Sequence, residues 1–572
     1  MGKNFKAWPK GWPKTLDYPE VPVSVFLDQS ADRIPHRIAI IFEGMELTYA
    51  ELRDLSNRFA SALNALGVRK GDRVAIHLPN CPQFAIAYYG ILKIGAVFAP
   101  LSPHVVAREA LFQLKDSGVE TLISLDGLFP NIQSIIPETD VQRVITTALA
   151  DCQSDGKGLC KSGDKAEIPN THDMVSLIES HETSPPDVLI DVHEDLAHIA
   201  YTGGTTGIPK GVMHSHHIVV ASVLQNASWQ NGAQIQESEG VLNQIFPPGT
   251  DPERDRLVCR DREKALVVVP WFHVFGCILY LNMHVYNGTT MIVHARFDPR
   301  KVLEDIVKYK ISLVAGAPQL FIPLTNLPDF KSYDLSSIKL ANLGAAPLPL
   351  PIFDCLLEAF SGVVTDAYGM TECTSGATVN PPDRSLLRPG SVGLPIFDTE
   401  CRVVDPDNGK PLPVGEEGEI CIRGPQVMKG YWGRPDETAA VLRDGWLLTG
   451  DIGREDEDGY FYITDRIKDM IIYKGYNVYP TELETVLSSH PAVQQCAVVG
   501  KPHGEFGELP IAFIELKTGE SVAKESIMEF TNAQIAHYKK IRDVIFIDKI
   551  PISPAGKILK KDLREDLISN QP

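Results

Sequence analysis

The 572-residue chain lacks paired cysteines, a surplus of basic charge and any long uninterrupted apolar run. Each absence excludes a class of protein. Ten cysteines lie singly along the chain, without a Cys-x-x-Cys pair or a Cys/His ladder, so neither a zinc site nor a disulfide framework is expected. Thiols so arranged suit a reducing compartment, and a cytoplasmic protein is the expectation. The formal net charge of −19 argues against a nucleic-acid-binding surface and against general attraction to anionic membranes. The first nine residues, Met1 to Pro9, hold no apolar core of the signal-peptide kind. The longest apolar stretch, around Phe84 to Leu101, is broken by Lys93 and bounded by Pro82 and Pro100. It reads as a helix feeding a buried strand, so no transmembrane segment is expected.

What is present is globular material, 44% hydrophobic and 22% charged, at a length that needs more than one domain. Thr48-Tyr-Ala-Glu51 has capping-box spacing, Leu52, Leu55, Phe59, Leu63 and Leu66 follow at helical intervals, and Gly67 stops the helix. Strand-like runs at 73–78, 121–125, 267–269, 290–293, 311–315 and 363–367 alternate with helical stretches, which predicts layered α/β architecture with buried sheets. Past Gly390, short runs at 400–404, 418–422 and 460–464 between turn clusters predict a small β subdomain over about 391–466. A compact α+β segment follows, with a helix opening at Pro480 and strands at 497–499 and 512–514. The expected division is a large domain over 1–466 and a small one over 467–572. Residues 151–165 and 231–264 read as irregular excursions.

The stretch Tyr201-Thr-Gly-Gly-Thr-Thr-Gly-Ile-Pro-Lys-Gly211 follows a strand-like run. Its glycines permit close backbone approach, and its N–H groups, hydroxyls and ammonium can cradle phosphate oxygens. It is no Walker A loop, since Gly211 rather than Ser or Thr follows Lys210. Further along come Pro270-Trp-Phe-His-Val-Phe-Gly276, Leu343-Gly-Ala-Ala-Pro-Leu348, Ala367-Tyr-Gly-Met-Thr-Glu372, Thr449-Gly-Asp451, Thr464-Asp-Arg-Ile-Lys-Asp469 and Pro551-Ile-Ser-Pro-Ala-Gly-Lys557.

In order and spacing these motifs resemble the adenylate-forming superfamily: acyl-CoA synthetases, aryl-CoA ligases, luciferases and adenylation domains. The resemblance spans roughly Leu47 to Leu563 and is closest to the AMP-forming fatty-acyl- or aryl-CoA ligases. It implies ATP, Mg²⁺ and CoA, a large N-terminal domain and a small mobile C-terminal one that pivots at Lys468. Under it, Thr202, Gly203, Gly204, Thr205, Thr206, Gly207 and Lys210 hold the departing phosphates, with Gly203 standing where relatives often carry serine. Gly344, Ala345 and Ala346 lie along adenine and acyl group. Ala367, Tyr368, Gly369, Met370 and Ile463 belong to the nucleotide site, Tyr368 as a stacking plate. Thr371 meets the α-phosphate, Glu372 ligates Mg²⁺, Asp451 binds the ribose hydroxyls, and Arg466 assists there. Lys557 stabilises the adenylation transition state. Lys474, Gly475 and Tyr476 line the CoA tunnel after rotation, where several relatives have a lysine in place of Ile472. Lys539, Lys540 and Arg542 are candidates for the CoA phosphates.

Where peptide-synthetase domains usually place an aspartate, Phe272 is followed by His273, which favours a plain carboxylic acid over an amino acid. Phe275, Gly276, Cys277, Ala315 and Gly344 are candidate acyl-pocket walls, with Ser375 and Gly376 deeper. They suit a medium- or long-chain fatty, alicyclic or aromatic acid. The alternatives are a stand-alone enzyme loading a carrier protein, a non-catalytic nucleotide-binding regulator, or an oxidative, luciferase-like outcome. A homodimer is compatible with the resemblance.

Overall fold

The computed structural model describes residues 7–152, 159, 168–202, 209–345, 350–474, 476–504, 506–553 and 557–569. Two large sheets build the N-terminal part. One has eight strands, in the order Gly430–Tyr431, Gly211–Ser215, Leu196–Tyr201, Val97–Pro100, Arg73–His77, Thr121–Leu125, Arg143–Thr147 and His172–Asp173. The other has nine and runs from Leu394–Pro395 through Gly376–Val379, Val363–Gly369, Leu340–Leu343, Leu313–Gly316, Lys264–Val267, Thr290–Val293 and Ile38–Phe42 to Met45–Thr48. Most of their central pairings are parallel, as expected for sheets covered on both faces.

Between the sheets lie the helices Tyr49–Ala65, Pro82–Lys93 and His216–Asn231. One continuous core joins them, drawing Phe59, Phe84, Tyr88 and Val223 from the helices and Ile40, Ile76, Phe98 and Met291 from the strands. The capping box read at Thr48 is formed: its side chain accepts from Glu51 N–H while the Glu51 carboxylate accepts from Thr48 N–H. The apolar stretch that begins near Phe84 is the buried helix Pro82–Lys93 followed by the strand Val97–Pro100, and Lys93 reaches Asp28. Among the described residues no helix is long and apolar enough to cross a membrane.

A five-stranded sheet follows, containing Glu400–Val404, Gly418–Arg423, Trp446–Glu455 and Phe461–Arg466. The last sheet, also of five strands, is centred on the long pair Val493–His503 and Gly507–Leu516 and carries the helix Pro480–Ser488 on it.

One sequence expectation changes and another goes untested. Residues 231–264 are not irregular throughout: Gln234–Ser238 and Val241–Ile245 pair in register as an antiparallel hairpin, and Pro252–Asp255 forms a short helix. Alternation is present, with Ile235 and Leu242 buried, but the frequent polar side chains hide it. The excursion at 151–165 falls largely outside the described residues.

Near its N-terminus the chain clamps one of the buried helices. Trp8 and Trp12 pack edge-on against Trp229, with ring centroids 5.1 and 5.3 Å away, and Phe397 closes the cluster. Gly232 ends that helix at φ +70°, where a Cβ would lie 2.3 Å from the Trp12 ring. No bulkier residue fits there.

Candidate functional site

A cavity of about 80 Å³ lies at the carboxyl ends of the strands Leu340–Leu343 and Val363–Gly369, the usual position for ligands in such sheets. Gly344, Ala345, Ala367, Tyr368, Gly369, Met370 and Thr371 line it, with His273 and Phe275 from the segment after Lys264–Val267. Lys557 lines it too, although it comes from the far end of the chain. Ala345 holds φ +68°, a left-handed conformation that a non-glycine residue adopts at a cost of about 1–3 kcal/mol.

Tyr368 and Asp451 meet directly: the phenol donates to Asp451 Oδ2 at 2.6 Å. Arg466 Nε lies 3.0 Å from Asp451 Oδ1, because Asp451 and Arg466 are cross-strand partners. The peptide N–H of Asp451 is held by Thr449 Oγ1 and that of Gly450 by Glu419 Oε1. A carboxylate has about four acceptor positions, so two remain for a ligand. Ile463 lies in the apolar cluster that Tyr368 and Met370 also join, and not on the cavity wall.

Glu372 sits in a single 3-10 turn, Thr371–Cys373, and is 8% exposed. Tyr431 donates to its Oε1 at 2.8 Å, and its own carbonyl accepts from Met428 N–H. His214 Nε2 lies 2.8 Å from Thr371 O and braces the turn from below. The Tyr431 ring carries the Lys210 ammonium at 4.7 Å from its centroid, so Lys210 and Glu372 flank one aromatic ring. Thr202 and Lys210 close the base of the Gly/Thr stretch through two hydrogen bonds of 3.0 and 3.3 Å. Gly203, Gly204, Thr205, Thr206 and Gly207 lie outside the described residues, as do Ala346 and Gly475.

Lys210 already has a partner, Glu437 at 2.5 Å, which Arg434 also approaches. An exposed pair of this kind contributes about 0–1 kcal/mol. If Lys210 must leave Glu437 to meet phosphate, Glu437→Gln is expected to lower the KM for ATP about two- to fivefold. Steady-state kinetics with ATP varied would check this, and a raised KM would contradict it.

His273 accepts the Phe275 N–H at Nδ1, 3.3 Å away. Burial, and then the facing charge of Lys557, hold its pKa down to about 4. The ring is therefore neutral, and with Nδ1 accepting, its proton is on Nε2. Burial, followed by the nearby Arg466 charge, brings the Lys557 ammonium down to about 8, while Asp451 and Glu372 act in the opposite direction. The Lys557 N–H donates to Ser553 Oγ at 3.0 Å.

Of the acyl-pocket candidates, His273, Phe275, Gly344, Ser375 and Gly376 line the cavity. Gly276, Cys277 and Ala315 are not among its lining residues. For Gly276 and Cys277 the reason is local winding. Residues Phe275–Asn282 form a π-helix, whose wider turn changes which positions face the sheet. Cys277 points at Asn282, 3.8 Å away, within the core, and Gly276 packs against the carbonyl of Pro270. A Cβ at Gly276 would lie 2.0 Å from that oxygen. Gly276→Ala is therefore expected to destabilise the protein by about 1–3 kcal/mol, read as a lower denaturation midpoint. An unchanged midpoint would contradict this packing. Ala315 is wholly buried inside the sheet.

Sequence reasoning missed the opposite wall, where Asn226, Trp229 and Gln230 project from the helix His216–Asn231. Lys474 and Tyr476 also stand away from the cavity lining. Lys474, at φ +53°, places its ammonium 4.3 Å from the Phe506 ring centroid, and exposed Tyr476 packs on Tyr538 at 5.0 Å. Lys539 is paired with Glu482, and Arg542 lies over the Tyr473 ring.

Known proteins give these residues a context. The family described as AMP-binding enzyme matches residues 27–432, and that described as AMP-binding enzyme C-terminal domain matches 482–557. The long-chain-fatty-acid–CoA ligase of Bacillus subtilis is 36% identical over 98% of both chains. The 4-coumarate–CoA ligase 2 of Petroselinum crispum is 32% identical over 96% of this chain and 94% of its own. Among solved structures, the anthranilate CoA ligase AuaEII in complex with anthranoyl-AMP superposes with a TM-score of 0.82 at 25% identity, covering 97% of this chain and 98% of its own. The chain belongs to the AMP-binding enzymes, the adenylate-forming superfamily, and stands close to its fatty-acyl- and aryl-CoA ligases.

Proposed function

We propose that the protein is an ATP-dependent, AMP-forming acyl-CoA ligase acting on a medium- or long-chain fatty, alicyclic or aromatic acid. The observation that carries this reading is the meeting of Lys557 with His273, Tyr368 and Thr371 around one cavity. In the first half-reaction a carboxylate oxygen attacks the α-phosphorus of ATP. The bond from phosphorus to pyrophosphate breaks, leaving an acyl-adenylate. Charge grows on the phosphoryl oxygens, and the Lys557 ammonium stabilises it. The Thr371 hydroxyl binds an α-phosphate oxygen, and His273 Nε2–H orients the carboxylate. Asp451 holds the ribose, Tyr368 packs on adenine with Gly344 and Ala345 along its edge, and Lys210 receives the outgoing phosphates.

Glu372 fits Mg²⁺, since it offers a buried carboxylate held in place by Tyr431 and a hard cation takes such oxygens together with phosphate. Bound there, the ion would neutralise triphosphate charge.

In the second half-reaction the CoA sulfur attacks the acyl carbonyl, and the carbon–oxygen bond to AMP breaks. We assign residues 467–572 to a mobile domain pivoting at Lys468, two residues beyond Arg466. Rotation withdraws Lys557 and brings the turn at Lys474 and Tyr476 to the cavity as a CoA passage. The absence of paired thiol motifs in the sequence fits a cytoplasmic enzyme.

An AMP-release screen over aliphatic, alicyclic and aromatic acids tests the reading. AMP formation that needs both acid and CoA is expected. Release that accepts a pantetheinylated carrier protein but not CoA would favour the carrier-loading alternative, and ATP binding without turnover would favour a regulator.

A further inference from the structure

The adenylation chemistry leaves one polar wall of the cavity unused. The helix His216–Asn231 directs Asn226 and Gln230 into it, one turn apart. Gln230 is 7% exposed, and its Oε1 is fully buried with no hydrogen-bond partner among the described residues. Buried amide groups are rarely left unpaired, because the lost hydration is not replaced.

Several polar atoms on the same wall are committed elsewhere, which sets them apart from Gln230 Oε1. Asn226 Nδ2 donates to Ser222 O at 2.8 Å, and Trp229 Nε1 to Asn380 O at 3.4 Å. Asn380 Nδ2 donates to Ser391 O at 2.7 Å, and Asn342 Oδ1 accepts from the Thr365 hydroxyl at 2.8 Å. The helix cannot readily turn Gln230 away, because Trp229 beside it is clamped by Trp8, Trp12 and Phe397.

We infer that the acyl site is built for an acid carrying a hydroxyl group remote from its carboxylate, and that Gln230 reads this hydroxyl. The inference rests on the ligase reading above, in which Lys557, Thr371 and His273 take the carboxylate end. A hydroxyl matches a primary amide because it can donate to Oε1 and accept from Nε2–H. Turning the amide over exchanges oxygen and nitrogen and leaves the match intact. A second carboxylate is a poorer fit, since Lys557 is the one cation among the described lining residues. A plain alkyl chain would strip water from the amide and return nothing. Sites that bind a substrate hydroxyl reject the analogue lacking it far more strongly than apolar pockets reject an added methylene.

The test compares matched pairs of acids, each with and without a hydroxyl at successive positions along an alkyl chain or ring. The readout is kcat/KM for AMP release at saturating CoA. In the wild-type protein at least one hydroxylated acid is expected to exceed its plain partner tenfold or more. Gln230→Leu and Gln230→Met, of similar volume, are expected to erase that preference and to raise kcat/KM for the plain acid, a gain that misfolding cannot mimic. Parity or preference for the plain acid in every wild-type pair overturns the inference alone, as does a preference that survives in both variants. No AMP from any acid overturns the ligase reading and this inference together.

Discussion

Lys557→Ala is expected to lower carboxylate-dependent ATP–pyrophosphate exchange about 10²–10³-fold, the usual cost of removing one donor aimed at a developing oxyanion, on the order of 3–4 kcal/mol. Thioester formation from supplied acyl-adenylate should be largely retained, because that step follows withdrawal of the lysine. Comparable loss of both halves would contradict separate roles. The same residue sets a pH dependence. Its pKa is drawn down to about 8, first by burial and then by the Arg466 charge. The protonated form is the working one, so exchange at low ATP should be full well below pH 8 and decline as pH rises through it. Pyrophosphate exchange isolates this limb, since the CoA thiol takes no part. In Lys557→Ala the residual rate should lose the decline near pH 8. A wild-type rate that climbs through this range would contradict the assignment.

Asp451→Ala is the second large expected effect. The carboxylate receives the Tyr368 hydroxyl at 2.6 Å and faces Arg466 at 3.0 Å. In the proposed complex it also accepts from the ribose. Hydrogen bonds to a charged acceptor contribute about 1.5–3 kcal/mol, so kcat/KM for ATP should fall about 100-fold, mostly through KM. Arg466 would lose its countercharge, although its side chain is 33% exposed and partly rehydrates. That moderates the stability loss relative to a fully buried pair. Asp451→Asn keeps the shape and removes the charge, so its KM should fall between the two. An unchanged KM in the alanine variant would remove Asp451 from the nucleotide site.

Much of the candidate site was legible because its residues come in short local motifs that stay close after folding. Tyr368, Thr371 and Glu372 share one strand end and turn, and Asp451 and Arg466 share one strand pair. Layered α/β architecture was legible from alternating runs. The helical wall of the cavity was less so. The helix His216–Asn231 is buried on nearly every side, so it shows no amphipathic stripe that would tell Asn226 and Gln230 from their neighbours. The π-helix after His273 hides its facing in another way: small, apolar Gly276 and Cys277 suit a pocket wall by residue type, whereas Cys277 points at Asn282 within the core. Tyr431 joins Glu372 to Lys210 across long sequence separations, and no local pattern announces such a link.

Acyl-adenylate formation is tested most directly by following oxygen. An acid labelled with ¹⁸O in its carboxylate, turned over with ATP and CoA, should yield AMP carrying one labelled oxygen, because the attacking oxygen stays on phosphorus when the thiol takes the acyl group. Label in inorganic phosphate, with ADP as the nucleotide product, would contradict adenylation.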